Sequence, residues 1–366
     1  MNKIKQDLAH KISKLPQSII LAVLVTSCYG FILLFSAAQG NIFPWAYKQL
    51  LVFILFIPIT LLIALLDLRI IYNFSYLIYF FSLVILIIVE FFGKSAMGAT
   101  RWLDLGLISI QPSELIKISL VLMLAKYFHV NENAESKFFL ILPLVGSLIP
   151  ILFIIKQPDL GTAIIAIIIV AGMFFAAGTN IKYFLALGFC GIAVAPILWS
   201  SLHNYQKNRI LTFLYPEKDP LGTGYNIIQS KIAIGSGGFW GKGLLSGTQS
   251  HLKFLPEYQT DFIFSFLMEE LGFAGGIVLI TLYVIILINS LLISVNCKSR
   301  FASLLSLGIA ILLFSHVFIN IGMVMGLLPV VGVPLPLVSY GRTMMASMLI
   351  GFGLIMNAAI NYQKKL

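Results

Sequence analysis

Long apolar runs cover most of the chain, and short segments with polar or charged residues separate them. Each run is close to the ~20 residues that a helix needs to cross the hydrocarbon core of a bilayer. We therefore expect an all-α integral membrane protein of about ten transmembrane helices, folded as a single polytopic domain over residues 1–366. The predicted spans are 18–38, 46–66, 71–92, 111–128, 138–155, 161–178, 181–199, 262–294, 302–325 and 342–360.

The composition supports this fold class and excludes others. Of the 366 residues, 59% are hydrophobic and 10% are charged, whereas a soluble domain carries about 25% charged residues. So little sequence lies outside the apolar runs that no soluble ATPase or nucleotide-binding domain fits. The net charge of +10 does not indicate nucleic-acid binding, because the Lys and Arg residues stand singly beside apolar runs. It indicates membrane topology and an anionic substrate.

The distribution of positive charge predicts the orientation. With the N-terminus inside, the short inner segments hold about twice as many Lys and Arg residues as the short outer ones, as the positive-inside rule requires. Both termini are then cytoplasmic (N-in/C-in), and residues 200–261 form a large extracytoplasmic loop between predicted helices 7 and 8. The first apolar run is of spanning length and further runs follow it, so we expect an uncleaved helix and not a signal peptide.

Glycine and aromatic residues fill the second half of this long loop, so we expect it to pack near the membrane surface. Isoleucines at helical spacing predict a short interfacial helix over 225–234. The segment 235–243 fails as a phosphate-binding loop, because Ser236 and Gly243 stand where the Walker pattern requires a Gly and a hydroxyl residue. Its glycines serve either flexible backbone near a substrate or simple turns, and the sequence leaves both open.

Polar residues at the outer ends of the predicted spans are the strongest functional signal. Each ionisable group costs about 2.5 kcal/mol or more in the membrane unless it is paired or lies in a watery cavity. The residues come from four segments distant in sequence: 101–102, 111–117, 157–159 and 256–261. Their convergence on one face predicts an outward-facing polar cavity.

Local structure offers an alternative role for each of these residues. Glu114 stands third in a helix that begins at Pro112, where a carboxylate favours the positive end of the helix dipole. Lys117, one turn later, can simply neutralise it. Asp159 and Asp261 each precede a predicted span and can cap it.

Two further carboxylates lie inside a predicted span. Glu269 and Glu270 are eight and nine residues into the eighth span, which places them about 12 Å deep at ~1.5 Å per residue. At least one of them must therefore face a polar interior.

The residue types on the outer face suit transfer chemistry. A carboxylate can take a proton from an attacking hydroxyl while cationic side chains stabilise a departing diphosphate. Asp261, with Lys and Arg groups on the same face, suits this reaction better than the paired carboxylates of a glycoside hydrolase. No Ser-His-Asp arrangement supports acyl transfer. The five histidines and three cysteines show no metal-ligand spacing, so a zinc site is not expected.

Several motifs resemble those of the SEDS family of peptidoglycan glycosyltransferases, and within it the elongation, or RodA, branch. The resemblance runs from about residue 45 to 345, and the combination is highly specific. Gly247-Thr-Gln-Ser250 before Leu255-Pro-Glu257 is what favours the elongation branch over the division branch. The resembling segments are Gly98-Ala-Thr-Arg-Trp-Leu103, Gln111-Pro-Ser-Glu-Leu-Ile-Lys117, Gln157-Pro-Asp-Leu-Gly-Thr162, Asp219-Pro-Leu-Gly222, Ile227-Ile-Gln-Ser-Lys-Ile-Ala-Ile-Gly235, Gly247-Thr-Gln-Ser250, Leu255-Pro-Glu-Tyr-Gln-Thr-Asp-Phe-Ile-Phe264 and Pro334-Leu-Pro-Leu-Val-Ser-Tyr-Gly341.

The resemblance implies a ten-helix fold and an activity: polymerisation of lipid II into glycan strands during cell elongation, at the outer face of the bacterial inner membrane. It makes Asp261 the catalytic residue, as general base for the acceptor sugar hydroxyl, with inversion at the anomeric carbon. Arg101 and Lys117 would face the diphosphate, and Trp102 would stack on sugar or lipid. The full substrate-binding set is Lys48, Arg101, Trp102, Glu114, Lys117, Asp159, Glu257 and Ser339.

The resemblance also implies partners. These are lipid II with the nascent glycan strand, the membrane lipids, the elongation machinery and a class B penicillin-binding protein, which would supply the transpeptidase activity. A divalent cation such as magnesium could bridge the diphosphate, although no carboxylate cluster in the sequence requires one.

Two positions depart from the family pattern, and other readings stay open. Lys48 replaces a frequent Arg, which keeps the charge but loses the bidentate fork. Arg342 follows Gly341 where Gly is common, and it either contacts phosphate or extends to the interface. A division-type member would carry the same chemistry, a lipid II flippase would show carboxylates through the membrane depth, and a non-catalytic scaffold would tolerate replacement of Asp261.

Overall fold

The computed structural model describes residues 10–96, 99–104, 109–131, 137–201, 207, 211–215, 217, 223–248 and 255–366. Some residues named above lie outside these described ranges: Gly98, Asp219 to Gly222, Gln249 and Ser250.

Helices make up most of the described chain, with one small sheet near the first third. The helices are α1 Gln17–Ala37, α2 Trp45–Leu65, α3 Leu68–Phe92, α4 Pro112–Val130, α5 Lys137–Lys156, α6 Leu160–Ala176, α7 Ile181–Ser201, α8 Thr223–Gly237, α9 Ile263–Asn296, α10 Arg300–Val324 and α11 Arg342–Ile360; the strands are β1 Lys94–Ala96, β2 Ala99–Asp104 and β3 Ser109–Ile110.

Each of the ten predicted spans coincides with one of these helices to within three residues at either end. By length and apolar composition, seven helices of the described chain can cross a membrane: α1, α2, α3, α5, α9, α10 and α11. Helix α6 is apolar but only 17 residues long. Helix α4 carries Glu114, Lys117 and Lys126 among its apolar residues. A helical membrane protein is confirmed; the count of ten spans and the N-in/C-in orientation stay predictions.

The interior of the bundle is formed by α4, α10 and α11. Helix α10 contacts α4, α6, α9 and α11. In its apolar 18-residue stretch 67% of the residues are buried, compared with 17% in α3. The outer helices expose large apolar side chains such as Phe80, Phe91 and Leu62, as lipid-facing helices do. Polar side chains of the interior helices are therefore shielded from lipid.

One small antiparallel sheet of three strands, in the order β1-β2-β3, accompanies the helices and was not predicted. Lys94 pairs with Trp102, and Leu103 pairs with Ile110. Strands of three, six and two residues are too short for their alternation to stand out between two spans. The sheet carries Arg101 and Trp102 to the beginning of α4.

Helix α8 contains the segment 225–234 that the isoleucine spacing predicts to be helical. It packs on α9 and α10. Ile227, Ser230 and Ala233 are buried at helical spacing, and Ser230 Oγ donates to the carbonyl of Val324 at 2.7 Å. This part of the long loop is thus docked on the bundle.

A break in α9 explains the glycines that follow α8. The backbone at Gly272 leaves the helical region with φ 64° and ψ −165°. The amides of Lys242 and Gly243 donate to the carbonyls of Glu269 and Glu270, while Phe273 and Ala274 donate back to the carbonyls of residues 238 and 239. A Cβ atom at Gly272 would lie 2.3 Å from the backbone nitrogen of Gly241. The glycines therefore form turns and allow close backbone contact. The sequence alone left this role and a role beside the substrate equally open.

Glu269 and Glu270 lie in α9 just before the break. Ser36 Oγ, one residue before the end of α1, lies 2.6 and 2.7 Å from the carboxylate oxygens of Glu270. Glu270 thus contacts the last turn of α1. Both glutamates are fully buried, in contact with polar partners.

Candidate active site

Asp261 lies in a tight turn just before α9. The amides of Thr260, Asp261 and Phe262 all donate to the carbonyl of Glu257, at 3.1, 3.1 and 3.3 Å. The helix begins at Ile263 with Phe262 as its N-cap residue, and no side chain caps it. Phe262, and not Asp261, therefore occupies the N-cap position of α9.

The carboxylate of Asp261 lines a cavity of about 210 Å³. Gly332, in the segment after α10, lies beside this carboxylate. A Cβ atom at Gly332 would lie 3.3 Å from Asp261 Oδ2, so this oxygen lies close to the Gly332 backbone. Gly332 has a φ of 71°, which favours glycine. The cavity is lined by Thr212, Asn226, Ile227, Pro256, Glu257, Asp261, Phe262, Val330 and Gly332.

The motif that contains Ser339 braces this turn from the other side. Ser339 Oγ donates to the carbonyl of Thr260 at 2.6 Å and accepts from the amide of Leu335 at 2.8 Å. The amide of Tyr340 donates to the carbonyl of Gln259 at 2.9 Å. Ser339 is only 2% exposed, so in this structure its hydroxyl holds the turn and is not presented to a substrate.

A half-buried tyrosine connects the same turn to the end of α1. The hydroxyl of Tyr258 donates to the carbonyl of Ala37 at 3.3 Å, and its ring meets that of Trp45 edge to face. Burial raises the pKa of this phenol above its usual value. Tyr258 therefore remains a neutral donor over the physiological range.

Arg101 and Asp159 meet at a second polar group. Arg101 Nε donates to the carbonyl of Gln157 at 3.1 Å, its guanidinium also donates to the carbonyl of Pro158, and Nη1 lies 3.9 Å from Asp159 Oδ1. Gln111 Nε2 donates to Asp159 Oδ2 at 3.3 Å. Asp159 Oδ1 accepts from the amide of Thr162 at 3.4 Å and caps α6, as its position before a span allows. Arg101 remains 29% exposed.

Glu114 and Lys117 form a buried ion pair one turn apart in α4, with 2.7 Å between Nζ and Oε1. Ser347 Oγ donates to the other oxygen of Glu114 at 3.2 Å. Lys117 Nζ lies 2.8 Å from His316 Nε2. Lys117 is 1% exposed, so the structure shows the neutralising role that the sequence left open for it. Contact with a diphosphate stays a prediction.

The remaining predicted residues lie at the ends of elements. Lys48 is exposed in the first turn of α2, and Trp102 is half-buried on β2. Glu257 shares the cavity with Asp261. Arg342 is half-buried as the first residue of α11. The structure thus unites Asp261, Glu257 and the brace at Ser339, and it assembles separate groups around Arg101 with Asp159 and around Glu114 with Lys117.

Sequence reasoning missed His316 and Asn320 of α10, both fully interior polar residues. His316 was considered only as a metal ligand. The signal that could have found both is their spacing of four residues within an apolar span, which places them on one helix face.

The described residues contain no group of three or more His, Cys, Asp or Glu side chains that could hold a metal ion. The residues that line the cavity at Asp261 nevertheless include four with side-chain oxygen atoms: Asp261, Glu257, Asn226 and Thr212. Oxygen donors of this kind suit magnesium, which commonly uses one or two carboxylates and completes its shell with water and phosphate oxygens.

Comparison with known proteins gives one consistent result. Residues 16–364 match the model of the FtsW/RodA/SpoVE family, described as cell cycle protein. The chain is 45% identical over 284 residues to the peptidoglycan glycosyltransferase MrdB of Escherichia coli K12, covering 76% of each chain. It is 35% identical over 353 residues to the probable peptidoglycan glycosyltransferase FtsW of Trichlorobacter lovleyi, covering 93% of this chain and 91% of that one.

Two solved structures share the fold. A chain of a peptidoglycan synthase complex that coordinates polymerization and crosslinking superposes with a TM-score of 0.83 at 32% identity, covering 96% of this chain and 99% of that chain. The rod shape determining protein RodA of Thermus thermophilus superposes with a TM-score of 0.72 at 26% identity, covering 96% and 98%. The protein described here therefore belongs to the FtsW/RodA/SpoVE, or SEDS, family.

Proposed function

We propose that this protein polymerises lipid II into glycan strands at the outer face of the cytoplasmic membrane, with Asp261 as the general base. The elongation branch is favoured, because relatives named MrdB reach 45% and 39% identity while those named FtsW reach 35% and 36%. The observation that carries the assignment of the base is the placement of the Asp261 carboxylate in a cavity, in a turn that three neighbouring segments hold.

The proposed reaction is a displacement at the anomeric carbon of the lipid-linked donor. Asp261 takes the proton of the acceptor sugar hydroxyl while that oxygen forms the new glycosidic bond. The bond from the anomeric carbon to the diphosphate breaks, and the diphosphate leaves with the electron pair. Attack from the face opposite the leaving group inverts the anomeric centre.

Stabilisation of the leaving diphosphate falls mainly to Arg101 in this proposal. Its guanidinium is partly exposed and is already held by two carbonyl groups, so little ordering is required when an anion arrives. Lys117 is buried and paired with Glu114, and it would reach the substrate only if α4 and α10 separated. Lys48 is exposed, so its ammonium group is accessible for contact with the substrate.

A divalent cation such as magnesium is part of the proposal, with Glu257 as its protein ligand, because the carboxylate of Asp261 must stay available as the base. When bound, it would neutralise charge on the diphosphate. The side chain of Glu257 lines the same cavity of about 210 Å³ as Asp261, and magnesium commonly binds through one or two carboxylates together with phosphate oxygens, which supports this assignment.

The proposed partner is a class B penicillin-binding transpeptidase, within an elongation complex in the cytoplasmic membrane. The support is the fold shared with a chain of a peptidoglycan synthase complex. A flippase is less well supported, because Glu269 contacts Lys242 and Glu270 contacts Ser36 beside the break in α9, so both carboxylates take part in contacts within the fold.

The test is an assay with purified protein. The chain is reconstituted with its candidate transpeptidase, whose active site is blocked by a β-lactam, and incubated with fluorescent lipid II. Glycan polymers on a gel would establish the transferase. If no polymer forms but lipid II crosses the bilayer of vesicles that contain the protein, the flippase hypothesis replaces the proposal.

A further inference from the structure

Asn320 is a fully buried side chain of α10 that touches both sides of the Asp261 cavity. Its Nδ2 donates to the carbonyl of Asp261 at 2.9 Å and to the carbonyl of Val333 at 2.7 Å. The turn that carries Asp261 and the segment that carries Gly332 are thereby joined through one carboxamide.

The orientation of this carboxamide is determined by its neighbours. Both hydrogens of Nδ2 are directed to carbonyl oxygens, whereas Oδ1 is buried without a partner in the described chain. A reversed amide would place Oδ1 against two carbonyl oxygens, which is repulsive. Asn320 therefore acts as a donor to both segments.

The junction bears directly on the carboxylate. Asp261 Oδ2 lies against the backbone at Gly332, next to the Val333 carbonyl that Asn320 holds. If Val333 moved relative to Asp261, the surface beneath the carboxylate would move with it. A displacement of about 1 Å in a reacting group can cost ~100-fold in rate.

His316 supports the same segment one helical turn earlier. Its Nε2 lies 2.8 Å from Lys117 Nζ, which has only hydrogens to offer, so Nε2 is the acceptor. Nδ1 then carries the hydrogen and donates to the carbonyl of Pro334 at 3.3 Å. The imidazole is neutral, and Lys117 is held in turn by Glu114 at 2.7 Å.

From these contacts we infer that Asn320 is a positioning residue for Asp261, and that His316 and the Lys117–Glu114 ion pair hold the Val333–Pro334 segment to which Asn320 binds. Hydrogen bonds, joined by the peptide bond between Val333 and Pro334, connect α4 through α10 to the backbone carbonyl of Asp261. The catalytic meaning of this series rests on the proposed function, whereas the mechanical link does not.

The first test replaces Asn320 by Asp, which has the same shape and supplies at most one donor where the amide supplies two. The matched control is Asn357→Asp. Asn357 of α11 is also fully buried, and it donates to the carbonyls of Ile63, Ala64 and Leu66, remote from the cavity. We expect Asn320→Asp to lower kcat for lipid II polymerisation by at least about tenfold with KM changed less than about twofold, while Asn357→Asp keeps kcat per folded molecule.

Hydrogen exchange tests the mechanical link without any activity. Amides of residues 257–262 and 331–335 should exchange faster in Asn320→Asp than in the wild type, and Asn357→Asp should leave both segments unchanged. Unaltered exchange in both segments of a folded Asn320→Asp would overturn the inference. Faster exchange together with an inactive wild type would keep the link and reject the proposed function.

A second pair of variants covers the case in which Asn320→Asp does not fold. His316→Gln can still accept from Lys117 and donate to Pro334, whereas His316→Leu can do neither. We expect His316→Gln to retain most of the wild-type kcat and slow exchange at 331–335, and His316→Leu to lose both. Equal behaviour of the two variants would contradict the role of His316.

Discussion

Lys242 of the glycine-rich segment forms an ion pair with Glu269, with 2.7 Å between Nζ and Oε1, directly beside the break in α9. The amide and hydroxyl of Thr248 donate to the same carboxylate oxygen, at 2.7 and 3.1 Å. Glu269 is fully buried while Lys242 is 27% exposed. The long loop is therefore anchored by a charge that the sequence places inside a membrane span.

Removing Lys242 should destabilise the protein. Lys242→Met leaves a buried carboxylate without its cation, and we expect a loss near the lower end of the ~3–5 kcal/mol typical of such a change, because Thr248 still donates. The double variant Lys242→Met/Glu269→Gln should recover most of it. Thermal unfolding in detergent measures both. The control Lys156→Met removes an ion pair to Glu90 whose lysine is 66% exposed and should cost about 0–1 kcal/mol; a cost equal to that of Lys242→Met would contradict the anchoring role.

Gly272→Ala should detach the glycine-rich segment from α9. The new Cβ would lie 2.3 Å from the nitrogen of Gly241 and 2.6 Å from the carbonyl oxygen of Phe239, at a φ of 64°. We expect faster hydrogen exchange over 237–248 and a lower unfolding temperature. Gly188→Ala is the control, since a Cβ there meets nothing within 4 Å. If Gly272→Ala matched Gly188→Ala, the close contact across the break would not exist in solution.

We expect Arg101 to contribute to binding of lipid II through its hydrogen-bond geometry as well as through its positive charge. Arg101→Lys keeps the positive charge but cannot reproduce donation to the carbonyls of Gln157 and Pro158 together with the approach to Asp159. We expect KM for lipid II to rise about tenfold or more, as measured by polymerisation at graded substrate concentrations. Lys156→Gln removes an exposed cation from a nearby helix end and should leave KM unchanged. If Arg101→Lys had the same KM as the wild type, the proposed role of Arg101 in binding the diphosphate would be contradicted.

The predicted orientation can be measured with single cysteines. In a chain whose three native cysteines are replaced, Glu217→Cys lies in the long loop and Lys365→Cys at the C-terminus. A membrane-impermeable maleimide should label Glu217→Cys in intact spheroplasts and Lys365→Cys only after permeabilisation. The reverse pattern would show that the long loop is cytoplasmic and would remove the outer-face site.

The spanning helices were predictable because one strong requirement, a run of apolar residues matched to the bilayer, determines each of them. Helix α11 begins and ends where the sequence predicts it, and α1 differs by one residue. The sheet at 94–110 and the break at Gly272 were not predictable. Short strands carry little periodicity, and Gly272 leaves the helix because of the segment that packs against it, a contact between residues more than thirty positions apart.

Some features of the candidate site were likewise predictable from the sequence, and others were not. Asp261 was identified through the motif, although the turn that carries it was not predicted, and the capping role of Asp159 followed from its place before a span. Glu114 and Lys117 were recognised as neighbours, but their burial depends on α10 and α11 covering them. The link from His316 and Asn320 to the Asp261 turn depends on where the chain returns after α10, which no local pattern specifies.

The central claim is that Asp261 is the base of a lipid II polymerase, and the most direct measurement compares Asp261→Asn with the wild type in the purified, partner-bound protein. Asp67→Asn, which changes a carboxylate at the turn between α2 and α3, serves as the control. We predict glycan polymer from the wild type and from Asp67→Asn, and a loss of at least about 100-fold in Asp261→Asn at unchanged unfolding temperature. Equal polymer from a folded Asp261→Asn would contradict the account.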